Sequence, residues 1–124
     1  MGAVFLGTPA CAIPSLAALA GVADVELVIT QPDGRAPRSG GRRPPPVKIA
    51  AQQFGFEVAQ PETGEALHAV IAEREFTVGV VVAYGRILTP AVLDALPYGF
   101  VNVHFSLLPR WRGPAPVERA IAEG

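Results

Sequence analysis

The chain has 124 residues, of which half are hydrophobic and 17% are charged, and its formal net charge is -1. This length accommodates one ordinary domain with a real core, and the composition excludes a disordered chain. The near-neutral charge argues against indiscriminate nucleic-acid binding by the whole chain. It does not exclude a local basic patch. A single cysteine, Cys11, excludes an internal disulfide framework and a cysteine-based zinc site.

The N-terminal stretch MGAVFLGTPACAIPSL lacks a basic leader and is broken by Gly7 and Pro9. It therefore predicts a first strand and not a signal peptide. No apolar run is long enough to cross a bilayer. Together with the lone cysteine, these features favour a cytoplasmic protein.

Short apolar runs rich in β-branched residues predict the strands. The candidates are AVFLG (3–7), VELVIT (25–30), VGVVVAY (78–84) and FVNVH (100–104), with FEVAQ (56–60) as a weaker one. Continuous valine, isoleucine and leucine without polar alternation indicates strands buried on both faces, as in a parallel sheet.

Helical patterns with readable starts separate these strands. Pro14 lies in the first turn of one helix, and Thr63 and the Thr89–Pro90 pair are typical starts of two others. The predicted apolar stripes are Ile13, Leu16, Ala17 and Ala20; Val47, Ala50, Ala51 and Phe54; Leu67, Val70 and Ile71; and, after Pro116, Val117, Ala120 and Ile121.

This alternation predicts an α/β fold, a Rossmann-like and mostly parallel sheet with helices on both faces. In such a fold a helix is normally followed by a strand, whereas the sequence stops after a predicted helix at Gly124. We therefore expect the sheet to be incomplete at the C-terminus, and the chain to be the front part of a longer protein.

The first strand–helix turn, GTPACAIP, contains Gly7, Thr8, Pro9 and Cys11. A tight turn at the carboxyl end of a strand places backbone N–H groups near a ligand, although an ordinary turn explains the pattern equally well. The dinucleotide signature GxGxxG is absent, which disfavours a nicotinamide cofactor.

The stretch QPDGRAPRSGGRRPPPVK (31–48) holds half of the chain's ten basic residues: Arg35, Arg38, Arg42, Arg43 and Lys48. Its glycines and prolines predict a long mobile loop without regular structure, a kind of loop that is usually functional or disordered. Guanidinium groups match phosphate oxygens, so the loop suits phosphate recognition. Taken alone, a solvated charged loop is the simpler interpretation.

The segment VVVAYGRILTP (80–90) carries Tyr84 and Gly85 at the end of a buried strand. Ligands of open parallel sheets bind beyond the carboxyl ends of the strands, so Tyr84 is a candidate pocket residue. A tyrosine at the edge of the core is the competing explanation.

In the strand that ends VNVH, Asn102 and His104 share one face because side chains alternate with a period of two. An amide N–H group stabilises an oxyanion, and an imidazole moves protons at neutral pH. This pairing suits acyl transfer without a covalent nucleophile. The following SLLPRWRGPAP predicts a rigid, partly apolar wall for a flat ring ligand.

Taken together, GTPACAIPSLAAL, TQPDGRAPRSGGRRPPPVK, VVVAYGRIL and NVHFSLLPRWRGPAPVERAI resemble the methionyl-tRNA formyltransferase family. These segments follow the family's order and cover almost the whole chain. The NxH and SLLP core is shared by folate-dependent formyltransferases, and the long arginine loop with SLLPRWRG narrows the resemblance to the tRNA enzymes.

The resemblance implies transfer of a formyl group from 10-formyltetrahydrofolate to the amino group of methionine on initiator tRNA. Asn102 would hold the formyl oxygen, and His104 would assist proton movement. It implies no metal, no nicotinamide and no membrane partner, and a monomeric full-length enzyme. The implied binding residues are Ser106, Leu107, Leu108, Pro109, Tyr84, Gly85, Ile87 and Leu88 for folate; Gly7, Thr8, Pro9 and Cys11 for the formyl and methionyl groups; and Arg35, Arg38, Arg42, Arg43 and Lys48 for tRNA.

Three departures from the family pattern stand out. Cys11 occupies a position that is usually aromatic, which predicts a looser pocket, and Phe105 replaces a small residue after the histidine. The family's aspartate that orients the histidine, and its C-terminal tRNA-binding domain, belong to positions beyond Gly124. We therefore expect the 124-residue chain alone to have little or no transferase activity.

Two alternatives stay open from the sequence. A folate-dependent N-formyltransferase acting on an amino sugar or another small amine would share the NxH core but would not need the arginine loop. A non-catalytic folate-binding remnant would bind the ligand without turnover.

Overall fold

The computed structural model describes residues 2–35 and 42–103. Predictions that concern Arg38, His104, Phe105, the segment 106–109 and the helix after Pro116 lie outside these residues. The strands are β1 (Gly2–Gly7), β2 (Asp24–Ile29), β3 (Gly34–Arg35), β4 (Arg42–Arg43), β5 (Val58–Ala59), β6 (Val78–Val82) and β7 (Phe100–Val103). The helices are a 3-10 turn (Ala10–Ala12), α1 (Ile13–Ala20), α2 (Pro46–Phe54), α3 (Gly64–Ala72) and α4 (Pro90–Leu93).

Five strands form one parallel sheet in the spatial order β5-β2-β1-β6-β7. The chain begins at the central strand, moves outward through β2 to β5, and then crosses β1 to place β6 and β7 on the other side. The direction of winding therefore reverses between β1 and β6, which makes their carboxyl ends the topological switch point. The predicted Rossmann-like parallel sheet is confirmed.

Helices cover both faces of this sheet, because the strands bury apolar side chains on each side. One face packs against α3 and α4 through Val4, Leu6, Leu27, Ile29, Leu67, Ile71, Phe76, Val81, Tyr84, Val92, Leu96 and Phe100. The other face packs against α1 and α2 through Phe5, Ala12, Leu16, Val25, Val28, Val47, Ala51 and Val82.

The predicted helix starts are also confirmed, since capping depends on local sequence. The Thr63 hydroxyl accepts a hydrogen bond from Ala66 N at 3.0 Å, and the Thr89 hydroxyl accepts one from Val92 N at 3.3 Å. Pro14 and Pro90 lie in the first turns of α1 and α4, where a missing N–H costs nothing.

The stretch 31–48 is more regular than its glycines and prolines predict. Gly34 and Arg35 pair with Arg43 and Arg42 in a short antiparallel ribbon, and α2 already begins at Pro46. The prediction of a wholly irregular loop is therefore wrong for its described ends. Proline is compatible with the start of α2, because that position needs no backbone donor.

Two side chains of the predicted helical stripes face solvent. Ala17 is exposed, and the Phe54 side chain is half-exposed with its ring centre 5.8 Å from that of Phe56. Both lie at the margin of the buried stripe, where helical periodicity does not distinguish core from surface. Strand β7 differs from the prediction of a strand buried on both faces, because among the described residues it is one of the two edge strands, with β5, and Asn102 on it is exposed.

Gly79 fixes how closely β7 approaches β6. It pairs with Phe100, and a Cβ atom at Gly79 would overlap the Phe100 ring. The Phe100 ring therefore occupies the space that the side chain of any residue other than glycine would need at position 79. Because Asn102 lies two residues after Phe100, this packing also sets the position of Asn102.

We expect Gly79→Ala to lower the free energy of unfolding by about 1–3 kcal/mol through overpacking, measured by urea denaturation. Adding Phe100→Leu should recover part of that loss, because the two changes share one space. The matched control Gly64→Ala places a methyl group where no atom lies within 4 Å, and should change stability by less than about 1 kcal/mol. Equal losses for Gly79→Ala and Gly64→Ala would contradict the packing account.

Candidate functional site

The carboxyl ends of β1 and β6 lie in direct contact at the switch point. A Cβ atom at Gly7 would come within 2.9 Å of both the Val82 carbonyl oxygen and the Phe5 ring, so only glycine permits this approach. Immediately afterwards, the Thr8 hydroxyl donates a hydrogen bond of 2.7 Å to the Tyr84 carbonyl. The same hydroxyl accepts one of 3.3 Å from the backbone N of Gln31. The Thr8 side chain, which follows β1, thus forms hydrogen bonds with the segments that follow β2 and β6.

The turn after β6 is sharply bent. Ala83 has a φ of 53° and Gly85 a φ of 95°, both in the left-handed region. For the alanine this conformation is strained, a feature that is frequent at ligand-binding segments. The turn leaves Ile87 91% exposed and Leu88 half-buried. An exposed apolar side chain at the ligand end of a sheet is available to contact a flat ring.

Buried donors surround this turn. Tyr84 is 2% exposed, and the atoms Tyr84 Oη, Gln31 Nε2 and Arg86 Nε are buried without a hydrogen-bond partner among the described residues. The Arg86 guanidinium donates to the Gln31 side-chain oxygen at 3.3 Å and to the Glu62 carbonyl at 3.0 Å. Burial raises the pKa of the Tyr84 phenol, and the nearby Arg86 opposes that effect. The phenol therefore stays protonated at neutral pH and remains a donor.

A second polar cluster anchors the arginine ribbon, which we define as the paired strands β3 and β4. Gln60 Nε2 donates to Asp33 Oδ1 at 2.7 Å, and Lys48 Nζ donates to the same oxygen at 3.1 Å. Arg42 Nη1 donates to the Asp33 carbonyl at 3.1 Å. The hydrogen bond from Gln60, followed by that from Lys48, holds the pKa of the Asp33 carboxyl below its ordinary value.

Several of the predicted site residues are thus brought to one edge. Gly7, Thr8, Tyr84 and Gly85 meet at the switch point, and Pro9 and the exposed Cys11 follow directly in the turn after β1. Arg42 and Arg43 are exposed on β4, whereas Lys48 is paired with Asp33. Only the backbone of Arg35 is described. Asn102 lies on β7 opposite Val81, one strand further from the switch point.

Sequence reasoning missed the residues that connect these groups. Gln31 and Asp33 follow the carboxyl end of β2, and that position alone could have marked them as candidate site residues. Arg86 stands inside a segment already singled out, but its contact with Gln31 spans 55 residues and leaves no local pattern. Gln60 likewise reaches Gln31 and Asp33 only after the sheet has assembled.

Within residues 2–35 and 42–103, no group of three or more histidine, cysteine, aspartate or glutamate side chains is placed to hold a metal ion. In the same part of the chain, no helix has the length and apolar character needed to span a membrane.

Two solved structures share this fold. Phosphoribosylglycinamide formyltransferase from Streptococcus pneumoniae TIGR4 matches with a TM-score of 0.60 and 23% identity, covering 99% of this chain and 66% of that one. Glycinamide ribonucleotide transformylase 1 from Geobacillus kaustophilus matches with a TM-score of 0.59 and 20% identity, covering 99% and 67%. The architecture is therefore that of a Rossmann-like domain.

The chain belongs to the formyl transferase family, whose sequence profile matches residues 4–124. It is 48% identical over its whole length to a methionyl-tRNA formyltransferase of Sorangium cellulosum and 49% identical to one of Xanthomonas euvesicatoria. The chain spans 40% and 41% of the length of these curated relatives. The resemblance inferred from the motifs is confirmed at the level of the family.

We expect Thr8→Val to lower the free energy of unfolding by about 1–3 kcal/mol, because it leaves the Tyr84 carbonyl and the Gln31 N–H without their shared partner. Thr8→Ser keeps the hydroxyl and should cost less than about 1 kcal/mol. Urea denaturation of both variants measures the difference. Equal stability of Thr8→Val and Thr8→Ser would show that the hydroxyl does not hold the switch point together.

The lowered pKa of Asp33 predicts a specific pH dependence. Its ionised form is favoured in the folded state, so its stabilising effect is present above the ordinary carboxyl pKa and is lost as the pH falls through the lowered folded value. Asp33→Asn should therefore be less stable than the native chain at about pH 7, and the gap should narrow at acid pH. Urea denaturation across this range measures the gap, and parallel stability curves for the two proteins would disprove the assignment.

Proposed function

We propose that the protein containing this chain transfers the formyl group of 10-formyltetrahydrofolate to the amino group of methionine on initiator tRNA. The observation that carries this proposal is the 48–49% identity, over the whole chain, to proteins named methionyl-tRNA formyltransferase. The exposed arginines of β4 support it, because exposed guanidinium groups can bind the phosphates of a tRNA substrate.

In this proposal the methionyl amino group attacks the formyl carbon, and the carbonyl oxygen becomes an oxyanion. The amide N–H of Asn102 donates to that oxygen, and His104 takes part in moving the proton lost by the amine. The carbon–nitrogen bond to the folate then breaks, and the folate nitrogen regains a proton. The exposure of Asn102 beside β6 supports this role, since a buried amide would not reach a substrate.

The folate would lie against the turn after β6, which carries Tyr84, Gly85, Ile87 and Leu88, with Ser106, Leu107, Leu108 and Pro109 completing its site. The support is the exposed Ile87 side chain, which offers apolar contact to a pterin ring. The formyl and methionyl groups would lie beside the turn that contains Gly7, Thr8, Pro9 and Cys11, where the two central strands meet.

The tRNA would contact Arg35, Arg38, Arg42 and Arg43. Lys48 belongs to the same surface, but its ion pair with Asp33 makes it a support for the ribbon more than a phosphate ligand. We propose further that this chain is the N-terminal part of the catalytic domain of a cytoplasmic, monomeric enzyme. The orienting aspartate of His104 and a tRNA-binding domain would come from other parts of the protein.

The proposal is tested by assaying the complete product of the reading frame that encodes these residues, with 10-formyltetrahydrofolate and charged initiator tRNA. Asn102→Ala should lower kcat by about 100- to 1,000-fold, the usual effect of losing one oxyanion donor. The matched control Gln52→Ala removes an exposed amide from α2 and should leave kcat unchanged. Folate binding without formylation by the native protein would instead support a non-catalytic remnant.

Replacing Arg35, Arg38, Arg42 and Arg43 together by glutamine separates the tRNA substrate from a small amine. With a tRNA substrate, KM for the tRNA should rise. A plot of log KM against log salt concentration should also become less steep, by about one unit of slope for each phosphate that is no longer neutralised. Unchanged activity on tRNA, or faster formylation of an amino sugar by the native protein, would favour the alternative transferase.

A further inference from the structure

Asp33 is the meeting point of four segments around the base of the arginine ribbon. It follows β2, and its carboxylate receives Gln60 Nε2 from the end of β5 and Lys48 Nζ from α2. Its carbonyl receives the guanidinium of Arg42 from β4. No other carboxylate among the described residues receives both an amide and an ammonium donor.

The cluster is also joined to the sheet edge that carries the candidate site. Gln60 Nε2 donates to the Gln31 carbonyl at 3.1 Å, and the backbone N of Gln31 donates to the Thr8 hydroxyl at the switch point. A continuous set of hydrogen bonds therefore runs from the β1–β6 junction through Gln31 and Gln60 to Asp33. The side chain of Asp33 is 27% exposed, so these bonds are partly shielded from water.

We propose that Asp33 is a positioning residue that holds the arginine ribbon against the ligand edge, so that a tRNA bound on the ribbon presents its amino group to Asn102. This inference rests on the proposed function. Asp33 would contact neither the tRNA nor the folate, and it would act by fixing Lys48 and the backbone that receives Arg42.

Simple charge balance makes the opposite prediction. An aspartate beside a phosphate-binding ribbon repels phosphate, so removing its charge would strengthen tRNA binding if charge alone mattered. A positioning role predicts weaker binding, because losing the ion pair with Lys48 frees the Asp33 backbone to which Arg42 of the ribbon donates. The sign of the effect therefore decides between the two explanations.

The test uses the complete protein and its formylation kinetics with initiator tRNA. Asp33→Asn should raise KM for the tRNA about tenfold, the equivalent of one charge-assisted hydrogen bond, while KM for 10-formyltetrahydrofolate stays within about twofold. Asp33→Ala, which also loses the bond from Gln60, should raise it further. Combining Asp33→Asn with Lys48→Met should cost no more than Asp33→Asn alone, because both changes break the same pair.

The matched control is Glu57→Gln, which breaks the surface pair between Glu57, just before β5, and Arg74, just after α3, and should leave both KM values unchanged. An unchanged or lowered tRNA KM in Asp33→Asn would overturn the proposal, as would an equal rise in both KM values. If the native protein did not formylate tRNA at all, the proposed function would fail, which is a distinct result.

Discussion

The close contact between β1 and β6 is the constraint on which the rest of the structure depends. Where a parallel sheet reverses its winding, two neighbouring strands are followed by loops that lead in opposite directions. Here those strands are β1 and β6, and Gly7 allows them to approach each other closely. The Thr8 hydroxyl then closes the junction by bonding to the segments that follow β2 and β6. Among the described candidate residues, Thr8, Tyr84, Gly85 and Ile87 lie on segments that leave this junction, and Asn102 lies on the strand beside β6.

In the proposed function, two tasks are separated along one edge of the sheet. Nearest the junction, a strained turn exposes Ile87 and also carries the buried donors of Tyr84 and Arg86, which suits a flat ligand with polar groups. Beyond β2, the ribbon exposes Arg42 and Arg43 and is anchored by Asp33, which suits a large anionic substrate. Gln31 and Gln60 connect the two regions, so the position of one depends on the other.

Most of the fold could be predicted from the sequence because its signals are local. Apolar runs marked the strands, and Thr63 and Thr89 marked helix starts through their own hydroxyl groups. The exposure of Phe54 could not be predicted, because it lies at the margin of its helical stripe, where periodicity does not distinguish core from surface. The ribbon within 31–48 was missed because glycine and proline indicate irregular structure, and the strand pairing around them has no apolar pattern. For the site, strand ends predicted Thr8, Tyr84 and Asn102, whereas the linking role of Gln60 exists only in the assembled sheet. The motif resemblance identified the family, but not the contacts of Asp33.

The central claim is that the ligand edge is the carboxyl end of the sheet around the β1–β6 junction. It is tested most directly by recording amide resonances of the isotope-labelled complete protein while adding a folate analogue that cannot transfer its formyl group. We expect shifts concentrated at residues 7–8, 83–88 and around Asn102, with little change at the amino ends of the strands, such as Gly2 and Val78. Shifts confined to the amino ends or to the outer faces of the helices would contradict the claim.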